Sequence, residues 1–267
     1  MVRTFNLEFD NRFLAKSTSK GNQKKWVFSD IFVKADSMGY ESIAEVLCAE
    51  LLKYTGLYYA DYFFCNIKEA AESDVFCFDG CYSYNFTKED ESFISFYRLL
   101  DNKYSEEQYN KEYKKLNGKE LMKKMIADIE DITGLDTTNY VSSILLFDGI
   151  VLNEDRHLNN LGVIKTSSGY REAPVFDNGL SLLSDTRDYG IDEPIAKCMK
   201  RIKAKPFSSS FEKQITYAEN MLTIDYSGFL ENIKNLEVPF KQKEYERALR
   251  ILEVRMEKLE GKAWKQE

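Results

Sequence analysis

The hydrophobic pattern of this chain shifts from mostly strand-like to mostly helical near residue 88, and that shift limits the folds open to it. Before it, apolar residues alternate or run in short aromatic and β-branched stretches: KWVFSDIFVK (25–34), ADYFFCNI (60–67) and VFCFDGCYSYNF (75–86). These predict strands, the last folding back at a hairpin turn over Asp79-Gly80. One helix interrupts them: Ile43, Val46, Leu47, Leu51 and Tyr54 recur at helical spacing over 41–55, and Gly56 supplies a stop. After Asp90 the period is helical, over 91–100, 105–116, 118–133 and 138–151. Residues 140–152, YVSSILLFDGIVL, are nearly all apolar and predict a buried central helix. Two short strands follow, 160–165 and 170–176, joined at Ser168-Gly169. Helical pattern returns from about 190 and ends in 241–259. An α+β fold of two lobes follows: a small β-rich N-lobe (1–88) with one key helix, and a larger, mostly helical C-lobe (89–267), with a cleft between them.

The composition supports a globular chain. Of 267 residues 43% are hydrophobic, and 18 Phe and 17 Tyr furnish a sizeable core. A formal charge of −7 makes the chain a poor general binder of phosphate backbones, so nucleic acid is not expected as a partner except through an RNA-bound substrate. The single histidine excludes centres that need two imidazoles, HExxH zinc sites among them. Five irregularly spaced cysteines (Cys48, Cys65, Cys77, Cys81, Cys198) complete no zinc pattern and read as buried or free thiols. With no apolar leader at the N-terminus and no run of 18 apolar residues, the expectation is a cytoplasmic protein that meets no membrane.

Chemistry concentrates between the buried helix and the two short strands, in Asn153-Glu154-Asp155-Arg156-His157-Leu158-Asn159-Asn160, and again in Val175-Phe176-Asp177-Asn178-Gly179. Phosphoryl transfer from ATP needs a carboxylate at the acceptor hydroxyl, an amide and a second carboxylate on Mg²⁺, and a lysine on the phosphates. Kinase catalytic loops space the base Asp and the metal-binding Asn as Asp155 and Asn160 are spaced, and Asp177 and Gly179 match the later Asp-x-Gly, with Asn178 where protein kinases carry Phe. A polar helix–strand connection is the plain alternative for Asp155 and Asn160 alone, but the buried helix before them and the hairpin and second Asp after them favour the chemical reading. His157 beside Arg156 reads as support for the loop, because Asp155 already fills the base position.

The first third supplies what the loop lacks. Lys34 ends the strand Asp30-Ile31-Phe32-Val33-Lys34 and is placed to reach the cleft. Glu41, Glu45 and Glu50 lie on the next helix, and Glu45 turns away from the packed Val46 and Leu47. Upstream, the small, polar and basic stretch 17–25, with Ser17, Ser19 and Gly21, suits a phosphate cradle, although it matches neither Walker A nor GxGxxG and reads almost equally as a solvated loop.

These residues resemble the HipA-type serine/threonine kinases, through NxDRHxxN (153–160), the following Phe176-Asp177, and EVLCAEL running on to Gly56-Leu57 in the helix after the strand lysine. The likeness spans roughly 17–185, is most specific in its core motif, and implies a protein-kinase-like fold. It also implies that Asp155 is the catalytic Asp, Asn160 and Asp177 the Mg²⁺ ligands, Lys34 the ATP-contacting lysine and Glu45 its partner, with Ser17 or Ser19 as autophosphorylation sites. Full-length HipA toxins carry an extra N-terminal subdomain, whereas this chain opens almost at the phosphate loop, so it resembles the compact members.

The expected activity is ATP- and Mg²⁺-dependent phosphorylation of a protein hydroxyl, with a toxin role and an antitoxin or regulator as partner among the family's implications. DRHxxN followed by Asp-x-Gly also resembles phosphoinositide-type kinases, so a small-molecule or lipid kinase is the alternative. A nucleotide-sensing pseudokinase or binding module is a third. Segment 197–205, KCMKRIKAK, gathers five basic residues near where kinases read their acceptor, and reads either as a solvated helix face or as a surface for an acidic substrate or RNA.

Overall fold

The computed structural model describes residues 2–8, 23–71 and 74–267. Its small lobe is a five-stranded sheet in the order β1-β4-β5-β3-β2, made of β1 (Arg3–Glu8), β2 (Lys25–Phe28), β3 (Ile31–Ala35), β4 (Phe63–Ala71) and β5 (Asp74–Tyr84). Only β1, which the hydrophobic pattern does not announce, lies parallel to its neighbour, β4; the other pairings are antiparallel. Strand alternation sends Val33, Ala35, Cys65 and Ile67 into a core on one face. Lys34, Phe64 and Cys81, in register with one another, take the other face. Helix α1 (Glu41–Leu52) packs there and buries all of its residues, including three glutamates.

The larger lobe is built on α5 (Thr138–Val151), whose residues Val141, Leu145, Phe147, Ile150 and Val151 are wholly buried. Around it lie α2 (Phe96–Lys103), α3 (Glu106–Tyr113), α4 (Gly118–Thr133), α6 (Ile195–Cys198), α7 (Phe211–Gln214), α8 (Tyr226–Ile233) and α9 (Gln242–Leu259). A three-stranded sheet of β6 (Ser92–Ser95), β7 (Gly162–Thr166) and β8 (Gly169–Glu172) floors the cleft; β9 (Leu222–Ile224) pairs with β10 (Trp264–Gln266). The fold is thus α+β, a small sheet lobe joined to a helical lobe. Among the described residues no helix is long and apolar enough to cross a membrane.

Three local expectations are corrected. Asp79 and Gly80 form no turn; both lie inside β5, opposite Asn66 and Cys65. Gly80 is there for close approach, since a Cβ would stand 2.3 Å from the Lys34 carbonyl oxygen. The helix expected over 91–100 begins only at Phe96, because 92–95 pair with β7 and Ser95 caps α2 by accepting from Arg98 N (3.2 Å). The helical reading from 190 holds only for short pieces before α8. Segment 197–205 is not one helix face: α6 stops at Cys198, and Pro206 disfavours a helical Lys205.

Candidate active site

The two lobes enclose a cavity of about 710 Å³, lined by Lys25, Val27 and Lys34 from the sheet and by Asp155, Asn160 and Asp177 from the helical lobe. Its apolar floor is a ring cluster of Phe86, Phe93 and Phe176, with centroids 5.3–5.8 Å apart. Aromatic walls with a few polar groups at one end suit a ligand with an apolar base and a charged tail.

Lys34 is the hub of the polar end. Its ammonium donates to Glu45 Oε1 (2.6 Å) and to Asp177 Oδ1 (2.7 Å), with the Tyr62 hydroxyl at 3.4 Å. Of the three helix glutamates only Glu45 reaches it. Glu41 accepts from the backbone N–H groups of Ser37, Met38 and Gly39 at the start of its own helix, and Glu50 pairs with Lys53 (2.6 Å). Burial alone would lower the Lys34 pKa, but the two carboxylates raise it well above its ordinary value, so the side chain stays a cation. For Asp177, burial pushes upward while Lys34, Lys25 and Arg156 outweigh it and hold the carboxyl well below the usual range. Burial, aided by the Asp177 charge, pushes Glu45 upward against the pull of Lys34.

The catalytic-type loop hangs from the end of α5. Asp155 N donates to Asn153 Oδ1 (3.0 Å), a local turn that directs Asp155 to the cleft. Arg156, fully buried, pairs with the equally buried Asp148 of α5 (2.9 Å) and donates to Phe176 O (2.8 Å) and Asn178 Oδ1 (2.7 Å). It therefore ties the loop to the Asp177 turn. Asp177 has a φ of +59°, a left-handed conformation that Asp tolerates, and the adjoining Asn178 N–H donates to Glu45 Oε2 (2.8 Å). His157 makes a looser contribution: Nε2 lies 3.9 Å from Asp155 Oδ2, Nδ1 is buried without a partner, and burial lowers its pKa. Its carbonyl accepts from Asn160 N (2.8 Å), which closes the loop.

The structure brings Lys34, Glu45, Asp155, Asn160 and Asp177 to one cavity or its wall. Ser17, Ser19 and Gly21 lie outside the described residues. Asp177 and Asn160 present carboxylate and amide oxygens, the hard donors that Mg²⁺ prefers, and the Asn160 amide nitrogen turns away toward Asp155 O (3.5 Å). Among the described residues no group of three or more His, Cys, Asp or Glu is arranged for a metal, so the pair fits an ion that takes its other ligands from phosphates and water. Sequence reasoning missed Asp148 and Tyr62, and it marked Lys205 only as part of the basic segment 197–205, not as a partner of Asp155, although its Nζ lies 3.1 Å from Asp155 Oδ1. Asp148 did leave a signal, as the lone charge in an apolar helix; Tyr62 did not.

The fold defines the class: a two-lobed, protein-kinase-like fold. No protein-family model and no curated protein sequence matches the chain. Among solved structures it is similar to the Helicobacter pylori proinflammatory kinase CtkA, with a TM-score of 0.63 at 16% identity over 96% of this chain and 95% of that one. A second similar structure is HipA of the Shewanella oneidensis MR-1 toxin–antitoxin system, solved with HipB and operator DNA, with a TM-score of 0.45 at 13% identity over 92% of this chain and 62% of that one. The protein-kinase-like fold expected from the loop motif accords with the CtkA structure.

Proposed function

We propose that this protein is an ATP- and Mg²⁺-dependent kinase of HipA-like type that phosphorylates a serine or threonine hydroxyl of a protein. The observation that supports it most is the Lys34–Glu45–Asp177 cluster, one cation held between two carboxylates at the polar end of an aromatic cavity. In this reading Lys34 contacts the phosphates and Glu45 fixes its position. Asn160 and Asp177 would hold Mg²⁺, and when bound the ion would supply neutralisation of phosphate charge. Asp155 accepts the proton of the acceptor hydroxyl and orients it in line, while Arg156 keeps the loop and the Asp177 turn in register. The substrate is a protein, an antitoxin or other regulator is the natural partner, and the protein works in the cytoplasm.

Incubation with γ-labelled ATP and Mg²⁺, with and without cell lysate, followed by mapping of the label, tests this reading. Label on serine or threonine, including Ser17 or Ser19 of the chain itself, is expected. Label confined to lipid or small molecules would assign the alternative kinase class, and ATP binding without any transfer would make the fold a nucleotide sensor.

A further inference from the structure

Among the described residues, Lys205 is a cation outside the Lys34 cluster that reaches the catalytic-type loop. Its Nζ lies 3.1 Å from Asp155 Oδ1, from a point fifty positions further along the chain. Its backbone is fixed by design of the surrounding loop. The fully buried Gln214 donates through Nε2 to Lys205 O (2.8 Å), while its Oε1 accepts from Phe207 N (3.0 Å) and Ser208 N (3.1 Å). Ala204 N closes the same loop on Ser209 O (3.2 Å). Gln214 ends α7, and α7 packs on α5, the helix that delivers Asp155. One buried frame therefore carries both ends of the Lys205–Asp155 contact.

The loop has no cation of its own for this position. Arg156 is fully buried and committed to Asp148, Phe176 and Asn178, and burial disfavours the charged form of His157. Lys34 is held between Glu45 and Asp177. Within the basic segment the other lysines and the arginine are placed differently: Lys197 and Arg201 pair with Glu193 (2.9 and 2.6 Å), and Lys200 and Lys203 face solvent. An ion pair between solvated side chains on a mobile surface contributes little. Here Asp155 is only 13% exposed and the lysine backbone is anchored, so the contact fixes a direction.

We infer that Lys205 is a positioning residue for phosphoryl transfer: it holds Asp155 through Oδ1 and so turns Oδ2 to the His157 side of the cleft, where the acceptor hydroxyl is to be met. This rests on the kinase reading above. A misdirected base lowers turnover without weakening nucleotide binding, because Lys205 acts through Asp155 and does not line the nucleotide cavity.

The test uses the full chain with Mg²⁺-ATP and the acceptor found by label mapping, and compares wild type, Lys205→Met and Lys205→Arg. Lys205→Met is expected to lower kcat ~10- to 100-fold, with KM for ATP and the thermal midpoint unchanged, and Lys205→Arg to recover much of that loss. Wild-type turnover in Lys205→Met overturns the inference and leaves the kinase reading intact. So does a loss that Lys205→Arg does not relieve, or one that tracks a lowered thermal midpoint or weaker ATP binding. A wild-type protein that transfers no phosphate overturns the kinase reading, and the role of Lys205 falls with it.

Discussion

Lys34 and Asp177 stand 143 positions apart, one on a strand of the small lobe and the other on a turn of the helical lobe, and their side chains meet at 2.7 Å. With Glu45 on the other side of the ammonium, this contact bridges the two lobes at the polar end of the cavity. A ligand with phosphates entering there meets a cation already oriented and a carboxylate held ionised beside it.

Lys34→Met leaves two carboxylates facing each other with the cation between them gone. Removing one partner of a buried ionic cluster costs about 3–5 kcal/mol. The expected outcome is a lower urea midpoint together with loss of ATP binding by calorimetric titration. Adding Glu45→Gln should restore part of the stability and none of the binding. A Lys34→Met protein as stable as wild type would contradict the coupling of the three groups.

Arg156 and Asp148 are both fully buried, and Arg156 also holds the Phe176 carbonyl and Asn178. Arg156→Met should destabilise the protein by about 3–5 kcal/mol, and the pair Arg156→Met with Asp148→Leu by clearly less, because no unpaired charge is then left inside. Denaturant unfolding of the two variants decides this; equal losses would show that the charge pair is not what holds the loop.

Gly80→Ala places a methyl group against the Lys34 carbonyl, where only 2.3 Å is open. The backbone of β3 must shift, at about 1–3 kcal/mol, and carry the Lys34 ammonium off its partners. A lowered thermal midpoint with weakened ATP binding is expected. Unchanged affinity would mean that the strand position is not transmitted to the site.

Asp36 gives a pH signature. Burial pushes its carboxyl up to about 6, with Lys241, 2.5 Å away, offsetting part of the effect and Glu41 adding to it. Its folded pKa lies above the unfolded one, so between about pH 4 and 6 the native state keeps a proton that the unfolded chain has lost. The contribution of Asp36 to stability therefore falls as pH rises through that window, by roughly 3 kcal/mol in all. Asp36→Asn removes this slope: relative to wild type the variant should gain stability from pH 4.5 to 6.5 in urea unfolding. Parallel profiles for the two proteins would contradict it.

The sequence spoke most clearly where one residue's neighbours in the chain decide its place. The apolar run of α5 and the spacing of Asp155 and Asn160 needed only local pattern. So did Lys34 at the end of a strand and Glu45 on the face of α1 opposite its packed residues. Contacts between distant segments left weaker traces. Gly80 reads as a turn residue until β3 is laid against it, and 92–95 read as helix until β7 offers a pairing edge. Lys205 sat within a basic run that periodicity drew as a helix, and only the anchoring of 204–209 by Gln214 brings it to Asp155. The β1 strand, paired in parallel across most of the small lobe's sequence, had no hairpin partner to announce it.

The most direct measurement of the central claim is transfer of the labelled γ-phosphate of ATP in the presence of Mg²⁺ by wild type, Asp155→Asn and Asp177→Asn, each checked for folding by its thermal midpoint. Wild type should label a serine or threonine, and each variant should fall by at least ~100-fold while remaining folded. Transfer that survives both substitutions at the wild-type rate would contradict the mechanism.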